Sequence, residues 1–325
     1  MLKADPAQFD ALHLLGVLRG QQGSATEAVR LISLALEQRP DSAEAHLNLG
    51  VALGKLARHR DALAAYDKAL AEKPDYFEVL LNRGNSLAEL GRHEEAVASY
   101  DRAVALRPDH VNAWYNRGNS LRALRRYRDA IASYNKLLAT RPDHADALLN
   151  RGNAFRELNR HAEALASYEQ ALKLRPDYAE VHNNCGNALQ SLGRSADALA
   201  SYDRALAIRP DYANALHNRG TILAKINRHE EAARSFEQTL AIDANYNYAL
   251  GAAAHSHAQA CNWDRGPRLE RQLQAEVRAD RVASLPFPFL SVSASPSDQL
   301  QCARTFVRDR YPAVVPPLWQ GERYR

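Results

Sequence analysis

Residues 111–144, VNAWYNRGNSLRALRRYRDAIASYNKLLATRPDH, contain the pattern of two short amphipathic helices. The first helix carries Trp114, Gly118 and Leu121 on one side, at the three-to-four spacing of a buried helical face. The second helix has the same spacing and is stopped by Pro142, because proline cannot continue a helix. The stretch therefore predicts one helix–turn–helix unit.

The same unit recurs every 34 residues without a gap through the first three-quarters of the chain. The predicted units are 9–42, 43–76, 77–110, 111–144, 145–178, 179–212 and 213–246. The first helices share a glycine at Gly16, Gly50, Gly84, Gly118, Gly152, Gly186 and Gly220. The second helices share an alanine, which a large aromatic residue follows four positions later in six units, as at Ala130 and Tyr134. We expect the small residues where two helices cross closely, with the aromatic ring filling the gap between neighbouring units.

Two turn positions are also shared among the units. Gly23, Gly91, Asn159, Gly193 and Asn227 follow the first helix, where we expect a positive φ. An aspartate follows the proline that closes each unit and is predicted to cap the next first helix. These aspartates are Asp41, Asp75, Asp109, Asp143, Asp177 and Asp211.

A 34-residue helical unit with this pattern of small residues and proline resembles the tetratricopeptide repeat. The resemblance implies an all-α, right-handed superhelical solenoid whose first helices line a concave surface. One repeat cannot bury its own apolar face, so we expect stability to come from stacking on its neighbours.

Three segments lie outside the repeats. Residues 1–8 are predicted to be the remnant of a preceding repeat, and residues 247–260 a capping helix. Residues 261–325 are predicted to be a connector with helical and irregular parts, including a helix that Ser295 or Ser297 caps.

The composition limits the function classes. Charged residues make up 25% of the chain and the formal net charge is only +4, with acids and bases interspersed, so we expect no nucleic-acid partner. No run of about 18 apolar residues predicts a membrane helix, and no signal peptide is recognisable, so we expect a cytoplasmic protein. The odd number of cysteines, which are Cys185, Cys261 and Cys302, fits free thiols in a reducing compartment.

Two rows of asparagine are the main candidate binding site. The first row is Asn48, Asn82, Asn116, Asn150, Asn184 and Asn218, and the second is Asn85, Asn119, Asn153 and Asn187. Because residues three apart share a helix face, the rows are predicted to form a ladder of amides that binds the backbone of extended client segments. At roughly 1 kcal/mol per contact, binding is expected to be micromolar to millimolar. The alternative is that each asparagine bonds within its own repeat or to water.

Four arginines follow ladder asparagines in sequence and are candidates for flanking contacts with acidic or phosphorylated clients. They are Arg83, Arg117, Arg151 and Arg219. The alternative is intramolecular ion pairing, with Glu89 and Glu157 available in the same repeats.

No metal, cofactor or catalytic residue is predicted. His255, His257 and Cys261 do not suggest a metal site, because helix residues two apart do not converge on one ion. His59, His93, His161 and His229 share a turn position and are expected to be solvated.

The connector resembles that of bacterial SPINDLY-like protein O-GlcNAc transferases, of glycosyltransferase family 41. The similar segments are the CNWD motif at 261–264, PFPFL at 286–290, DQLQCAR at 298–304 and PLWQGERYR at 317–325. The resemblance implies that the chain is the recruiting arm of an enzyme that transfers GlcNAc from UDP-GlcNAc to Ser and Thr of client proteins. The sequence ends at Arg325, before the part that would hold the donor, so no residue here inherits a catalytic role.

Two other functions are weighed against this hypothesis. A stand-alone repeat scaffold or adaptor for protein–protein interaction would use the same repeats. RNA binding would need a basic groove with stacking aromatic residues, whereas the predicted groove is rich in amides. The sequence does not decide whether the chain forms a homodimer through its repeats.

Overall fold

The computed structural model describes residues 9–262, 264 and 266–311. These residues form 18 α-helices, and no strand occurs among them. They group into two compact units, one that ends at Leu174 and one that begins at Arg175.

Five helix pairs make up the first unit. They are α1 (Phe9–Gln21) with α2 (Ala25–Gln38), α3 (Ala43–Lys55) with α4 (His59–Glu72), α5 (Phe77–Glu89) with α6 (His93–Leu106), α7 (Val111–Ala123) with α8 (Tyr127–Thr140), and α9 (Ala145–Glu157) with α10 (His161–Leu174). Within this unit, successive odd-numbered helices approach each other with Cα atoms within 8 Å, whereas successive even-numbered helices do not. The odd-numbered helices therefore form the more closely spaced side of the stack, which we call the odd-helix face.

The second unit contains two further pairs and four more helices. These are α11 (Ala179–Ser191) with α12 (Ser195–Ile208), α13 (Ala213–Lys225) with α14 (His229–Ile242), and then α15 (Ala249–Gln259), α16 (Gly266–Arg278), α17 (Pro286–Leu290) and α18 (Pro296–Arg310). Here too α11 contacts α13 and α13 contacts α15, so this unit has its own odd-helix face.

Close packing inside each helix pair requires the shared glycines, against an aromatic ring in six pairs and against Ile32 at Gly16. A Cβ built on Gly118 would lie 2.6 Å from Cε1 of Tyr134, whose side chain is fully buried. Gly84 and Gly152 face Tyr100 and Tyr168 in the same way. The ring thus packs against the glycine of its own unit, in addition to any gap it fills towards a neighbour.

The predicted left-handed turn positions are confirmed. Gly23, Gly91 and Gly193 have φ of 85°, 72° and 76°, and Asn159 and Asn227 have φ of 58° and 61°. At the same register Ala57 and Arg125 also adopt positive φ, of 55° and 58°. The repeat geometry therefore imposes this conformation even on residues for which it costs about 1 kcal/mol.

The prediction that the aspartates cap the first helices is wrong. In each case the N-cap is the residue that follows the aspartate. The N-cap residues are Ser42, Tyr76, His110, His144, Tyr178 and Tyr212. Ser42 Oγ accepts a hydrogen bond from the Ala45 backbone N–H at 3.2 Å. Asp41 lies in the turn with the closing proline, so the chain needs one more residue before helical geometry begins.

The described part of the connector folds onto the last helices of the second unit. Leu250 of α15 clusters with Leu273, Val277 and Phe289 from α16 and α17. Ser295 caps α18, as one of the two predicted candidates, and its Oγ accepts from the Asp298 backbone N–H at 3.3 Å. The predicted remnant at 1–8 and the chain from 312 onward lie outside the described residues.

None of the helices in the described part of the chain combines the length and the apolar character needed to cross a membrane.

Candidate functional site

Both asparagine rows lie on odd-numbered helices, and most of their side chains are half-buried. In the first unit the rows run along α3, α5, α7 and α9, and in the second unit along α11 and α13. Asn184 differs from the others of its row because only 8% of it is exposed. The rows thus occupy one face of each unit at a depth where their amides meet both protein and solvent.

The second row accepts hydrogen bonds from a buried tyrosine and from the next repeat. Oδ1 of Asn119 accepts from the Tyr134 hydroxyl at 2.7 Å and from Nδ2 of Asn150 at 3.1 Å. Oδ1 of Asn85 accepts in the same way from Tyr100 and Asn116, both at 2.8 Å. The asparagine rows therefore join successive repeats as well as lining a surface.

The same arrangement recurs in the second unit. Oδ1 of Asn187 accepts from the Tyr202 hydroxyl at 2.8 Å and from Nδ2 of Asn218 at 3.0 Å. Nδ2 of Asn218 also reaches Oδ1 of Asn183 at 3.0 Å. Asn184 accepts from Nδ2 of Asn183 at 3.3 Å.

The remaining row members have other partners. Nδ2 of Asn82 donates to the Glu78 carbonyl of its own helix at 2.9 Å, and Nδ2 of Asn48 lies 2.9 Å from Nε2 of His13. Oδ1 of Asn153 accepts from the Tyr168 hydroxyl at 2.8 Å.

These bonds use only part of the capacity of the amides. Asn116 and Asn150 engage their Nδ2 groups, and within the described residues no partner holds their Oδ1 atoms. Asn85 and Asn119 engage Oδ1, while their Nδ2 groups have no partner in the same part of the chain. An amide has two donor hydrogens and one acceptor oxygen, so both kinds of group are left for a ligand.

The four arginines do not face the same side as the asparagines that precede them. Adjacent residues on a helix point in different directions, and the arginines reach back between even-numbered helices. Nε of Arg117 donates to Asp101 at 2.6 Å, and Nη1 donates to Ser133 at 2.6 Å. Arg83 and Arg219 make matching pairs with the carboxylate 16 residues earlier; these partners are Asp67 and Asp203, at 2.8 and 2.7 Å.

Three of the four arginines thus follow the ion-pair alternative, with an aspartate of the preceding repeat in place of Glu89 or Glu157. Arg151 is the exception. Its guanidinium donates to three uncharged groups, which are Asn135 Oδ1 at 3.0 Å, Ser167 Oγ at 3.2 Å and Gln170 Oε1 at 3.0 Å. Burial without a carboxylate neighbour lowers the pKa of the Arg151 guanidinium.

Replacing Asn135 with aspartate is expected to stabilise the chain by about 0.5–1 kcal/mol. The change supplies the carboxylate that Arg83, Arg117 and Arg219 already have. The measurement is urea unfolding followed by circular dichroism, at low and high NaCl, since added salt should reduce the gain.

The matched control is Asp101→Asn, which removes the carboxylate from Arg117 and should destabilise by a similar amount. If Asn135→Asp lowered the unfolding midpoint, the view that Arg151 lacks a counter-ion would be incorrect.

In residues 9–262, 264 and 266–311, no three His, Cys, Asp or Glu side chains are placed so that they could hold a metal ion together. His257 Nε2 instead lies 3.1 Å from Glu237. The expectation of solvated turn residues is wrong for all four histidines, which are half-buried first residues of helices. They are His59 of α4, His93 of α6, His161 of α10 and His229 of α14. Cys302 is a buried free thiol, and burial raises its pKa to about 11.

Comparison with models of known protein families identifies the family of this chain. Family models described as tetratricopeptide repeat match residues 13–53, 47–111, 111–144 and 177–245, and one described as TPR repeat matches residues 152–193. Together they cover more than half of the chain. The chain belongs to the tetratricopeptide-repeat family. No curated protein matches it.

Solved structures share this tetratricopeptide-repeat fold at low sequence identity. A tetratricopeptide repeat protein from Parabacteroides merdae is 21% identical over 73% of this chain and 94% of its own, with a TM-score of 0.55. YrrB, described as a TPR protein with an unusual peptide-binding site, is 22% identical over 57% of this chain and 96% of its own, with a TM-score of 0.53. The MamA protein is 22% identical over 53% and 93%, with a TM-score of 0.51.

The tyrosine partners of the second asparagine row are the feature that the repeat pattern did not reveal. A buried phenol needs a hydrogen-bond acceptor, and the tyrosine stands 15 residues after the asparagine in four successive repeats, as Tyr134 does after Asn119. This constant separation was a usable signal in the sequence.

Proposed function

We propose that this tetratricopeptide-repeat chain binds extended segments of other proteins along the odd-helix face of its first unit. The supporting observation is that the Oδ1 atoms of Asn116 and Asn150 and the Nδ2 groups of Asn85 and Asn119 keep their capacity for a ligand. These acceptors and donors match the N–H and C=O groups of a peptide backbone, whatever its side chains are. YrrB, which has a similar fold, is described as having a peptide-binding site.

The spacing of the amides fits an extended ligand. Packed helices lie about 8–10 Å apart, and an extended peptide advances about 3.3 Å per residue. One repeat therefore spans about three peptide residues. The network that holds Asn116 against Asn85 and Asn150 against Asn119 fixes the amides before the ligand arrives, which reduces the entropic cost of binding.

Replacing Asn116 and Asn150 together with alanine is expected to weaken binding of a 12-residue Ser-Ala peptide at least tenfold, about 1.4 kcal/mol. The reason is that each amide contributes roughly 1 kcal/mol through its contact with the backbone. Binding is measured by fluorescence anisotropy of the labelled peptide. A peptide of the same sequence with alternate backbone nitrogens methylated should bind the wild type as weakly as the unmethylated peptide binds the variant.

The matched control is Asn112→Ala, which removes an exposed amide from the same helix α7 and should leave binding unchanged. Circular dichroism checks that the double variant keeps its helices. If the folded double variant bound the peptide as the wild type does, the amide rows would have no part in recognition.

We also propose that the bound segments are clients of a protein O-GlcNAc transferase, for which this chain is the recruiting arm. The support is the resemblance of the segments around Cys261, Pro286 and Asp298 to the connector of that family. The test compares the mass of the native product in its own cell with the 36.1 kDa of this chain, and then assays that product with UDP-GlcNAc. A native product of 36.1 kDa would contradict this role and favour a stand-alone adaptor.

A further inference from the structure

A small cavity opens on the odd-helix face of the second unit. Its volume is about 180 Å³. Residues that line it come from α13, α14, α15 and the connector, and include His217, Thr221, Ala252, His255, Leu285 and Pro288. Among the described residues, none that lines the cavity is Asp, Glu, Lys or Arg.

The cavity lies at the register where both asparagine rows end. Ala252 follows Asn218 by 34 residues, and Thr221 follows Asn187 by 34 residues. At these two places the repeat substitutes a methyl group and a short hydroxyl side chain for an amide. The smaller side chains leave space at this register, and the surface around that space is mostly apolar.

The connector forms a fixed wall of the cavity. The backbone N–H of Tyr248 donates to the Val282 carbonyl at 3.0 Å, and that of Gly251 donates to the Ala283 carbonyl at 2.9 Å. These bonds hold the segment before α17 against α15. Leu285 and Pro288 are consequently placed over the cavity by the backbone, which makes it a preformed site.

The surroundings of the two histidines in the cavity favour their neutral forms. His217 packs against the rings of Phe236 and Tyr246, with centroids 5.3 and 4.9 Å away. Burial lowers the pKa of His217 to about 4, and burial also lowers the pKa of His255. An ion that entered this space would lose its hydration without gaining a charged partner, so the site favours a neutral occupant.

The volume sets the size of that occupant. Drug-sized ligands occupy cavities of about 300–1,000 Å³, whereas an apolar cavity of about 150 Å³ holds one benzene molecule. A space of about 180 Å³ therefore accepts one phenyl or branched aliphatic group.

We propose that this cavity binds one apolar side chain, of phenylalanine or leucine size, from a client segment that lies on the odd-helix face of the second unit. This inference extends the proposed function by adding side-chain selectivity where the amide rows stop.

The test uses the full chain and two small probes, N-acetyl-phenylalanine methylamide and N-acetyl-alanine methylamide. Binding is followed by NMR of the methyl groups of Ala252 and Leu285, which line the cavity. The phenylalanine probe is expected to bind with millimolar affinity, at least tenfold more tightly than the alanine probe, and to shift both methyl signals. Equal binding of the two probes would overturn the proposal.

Two variants separate the cavity from the rest of the surface. Ala252→Leu fills the cavity and should abolish the shift of the Leu285 methyl signals on addition of the phenylalanine probe. Ala258→Leu lies on the same helix but outside the cavity lining, so the probe should still shift these signals. If circular dichroism shows that Ala252→Leu does not fold, Leu285→Gln is used in its place. A polar side chain in the cavity wall should weaken binding of the phenylalanine probe at least fivefold. Unchanged binding in a folded cavity variant would also overturn the proposal.

The outcome is independent of the amide rows. The probes are too short to span repeats, and the signals that report their binding come from Ala252 and Leu285 in the cavity of the second unit. If the Ser-Ala peptide fails to bind but the phenylalanine probe binds, the proposed backbone recognition is wrong while the cavity stands.

Discussion

Gly50→Ala is expected to lower the free energy of unfolding by about 3 kcal/mol, near the upper end of what an added methylene costs in a packed core. A Cβ at position 50 would lie 2.3 Å from Cε1 and 2.7 Å from Cδ1 of Tyr66. Tyr66 is only 2% exposed and packs with Leu63 and Val79, so its ring has no space into which it can move. The measurement is urea unfolding followed by circular dichroism.

Helix α3 contains its own control, Gly54→Ala. Gly54 lies one turn further along, and a Cβ there would meet nothing within 4 Å. Alanine is the better helix former, so this variant is expected to be about 0.5–1 kcal/mol more stable than the wild type.

The clash itself can be tested with the double variant Gly50→Ala, Tyr66→Leu. Because leucine lacks the ring atoms that the new methyl group would meet, the two changes together should cost at least 1 kcal/mol less than their sum. If Gly50→Ala were as stable as Gly54→Ala, the close approach of Tyr66 would not be what restricts this position to glycine.

Asn119→Ala is expected to destabilise the chain by about 2–3 kcal/mol, because it leaves polar groups without a partner. The Tyr134 hydroxyl, on a fully buried side chain, loses its acceptor, and Asn150 loses one of its two contacts. The bond to Asn150 also joins two successive repeats. Unfolding in urea measures the loss.

Tyr134→Phe is the matched comparison and is expected to cost only about 1 kcal/mol. It removes the donor, while Oδ1 of Asn119 keeps its bond from Asn150 at 3.1 Å. If Asn119→Ala lowered the free energy of unfolding no more than Tyr134→Phe does, water would be replacing the lost acceptor. The bond between Asn119 and Tyr134 would then contribute little to stability.

The difference between the two rows bears on any binding assay. Asn119 both supports the fold and faces the surface, so a loss of binding on its replacement would not separate the two roles. Asn116 and Asn150 each give one donor group to the fold and keep an oxygen for a ligand. They are therefore the residues whose replacement reports on recognition.

The order and length of the repeat helices follow from the sequence alone. The 34-residue period gives the number and order of the helix pairs, and the residues with positive φ are read from the turn itself, where local sterics decide the conformation. The same holds for the end of the repeat pattern, since α15 keeps the first-helix position while its partner pattern is lost. The contact of each shared glycine with a ring or side chain of the partner helix was found only in the structure.

The partners of the side chains were decided by the tertiary structure. Asn150 meets Asn119 across 31 residues, Arg117 meets Asp101 across 16, and Leu285 closes a cavity beside Ala252 across 33. A periodic sequence indicates on which face of its helix a residue lies. The angle and spacing between successive helix pairs determine which residue of the neighbouring pair that face contacts. The recurrence of asparagine at the repeat spacing predicted an amide-rich surface. Only the packing of the repeats decided which amides bond to one another and which groups are left for a ligand.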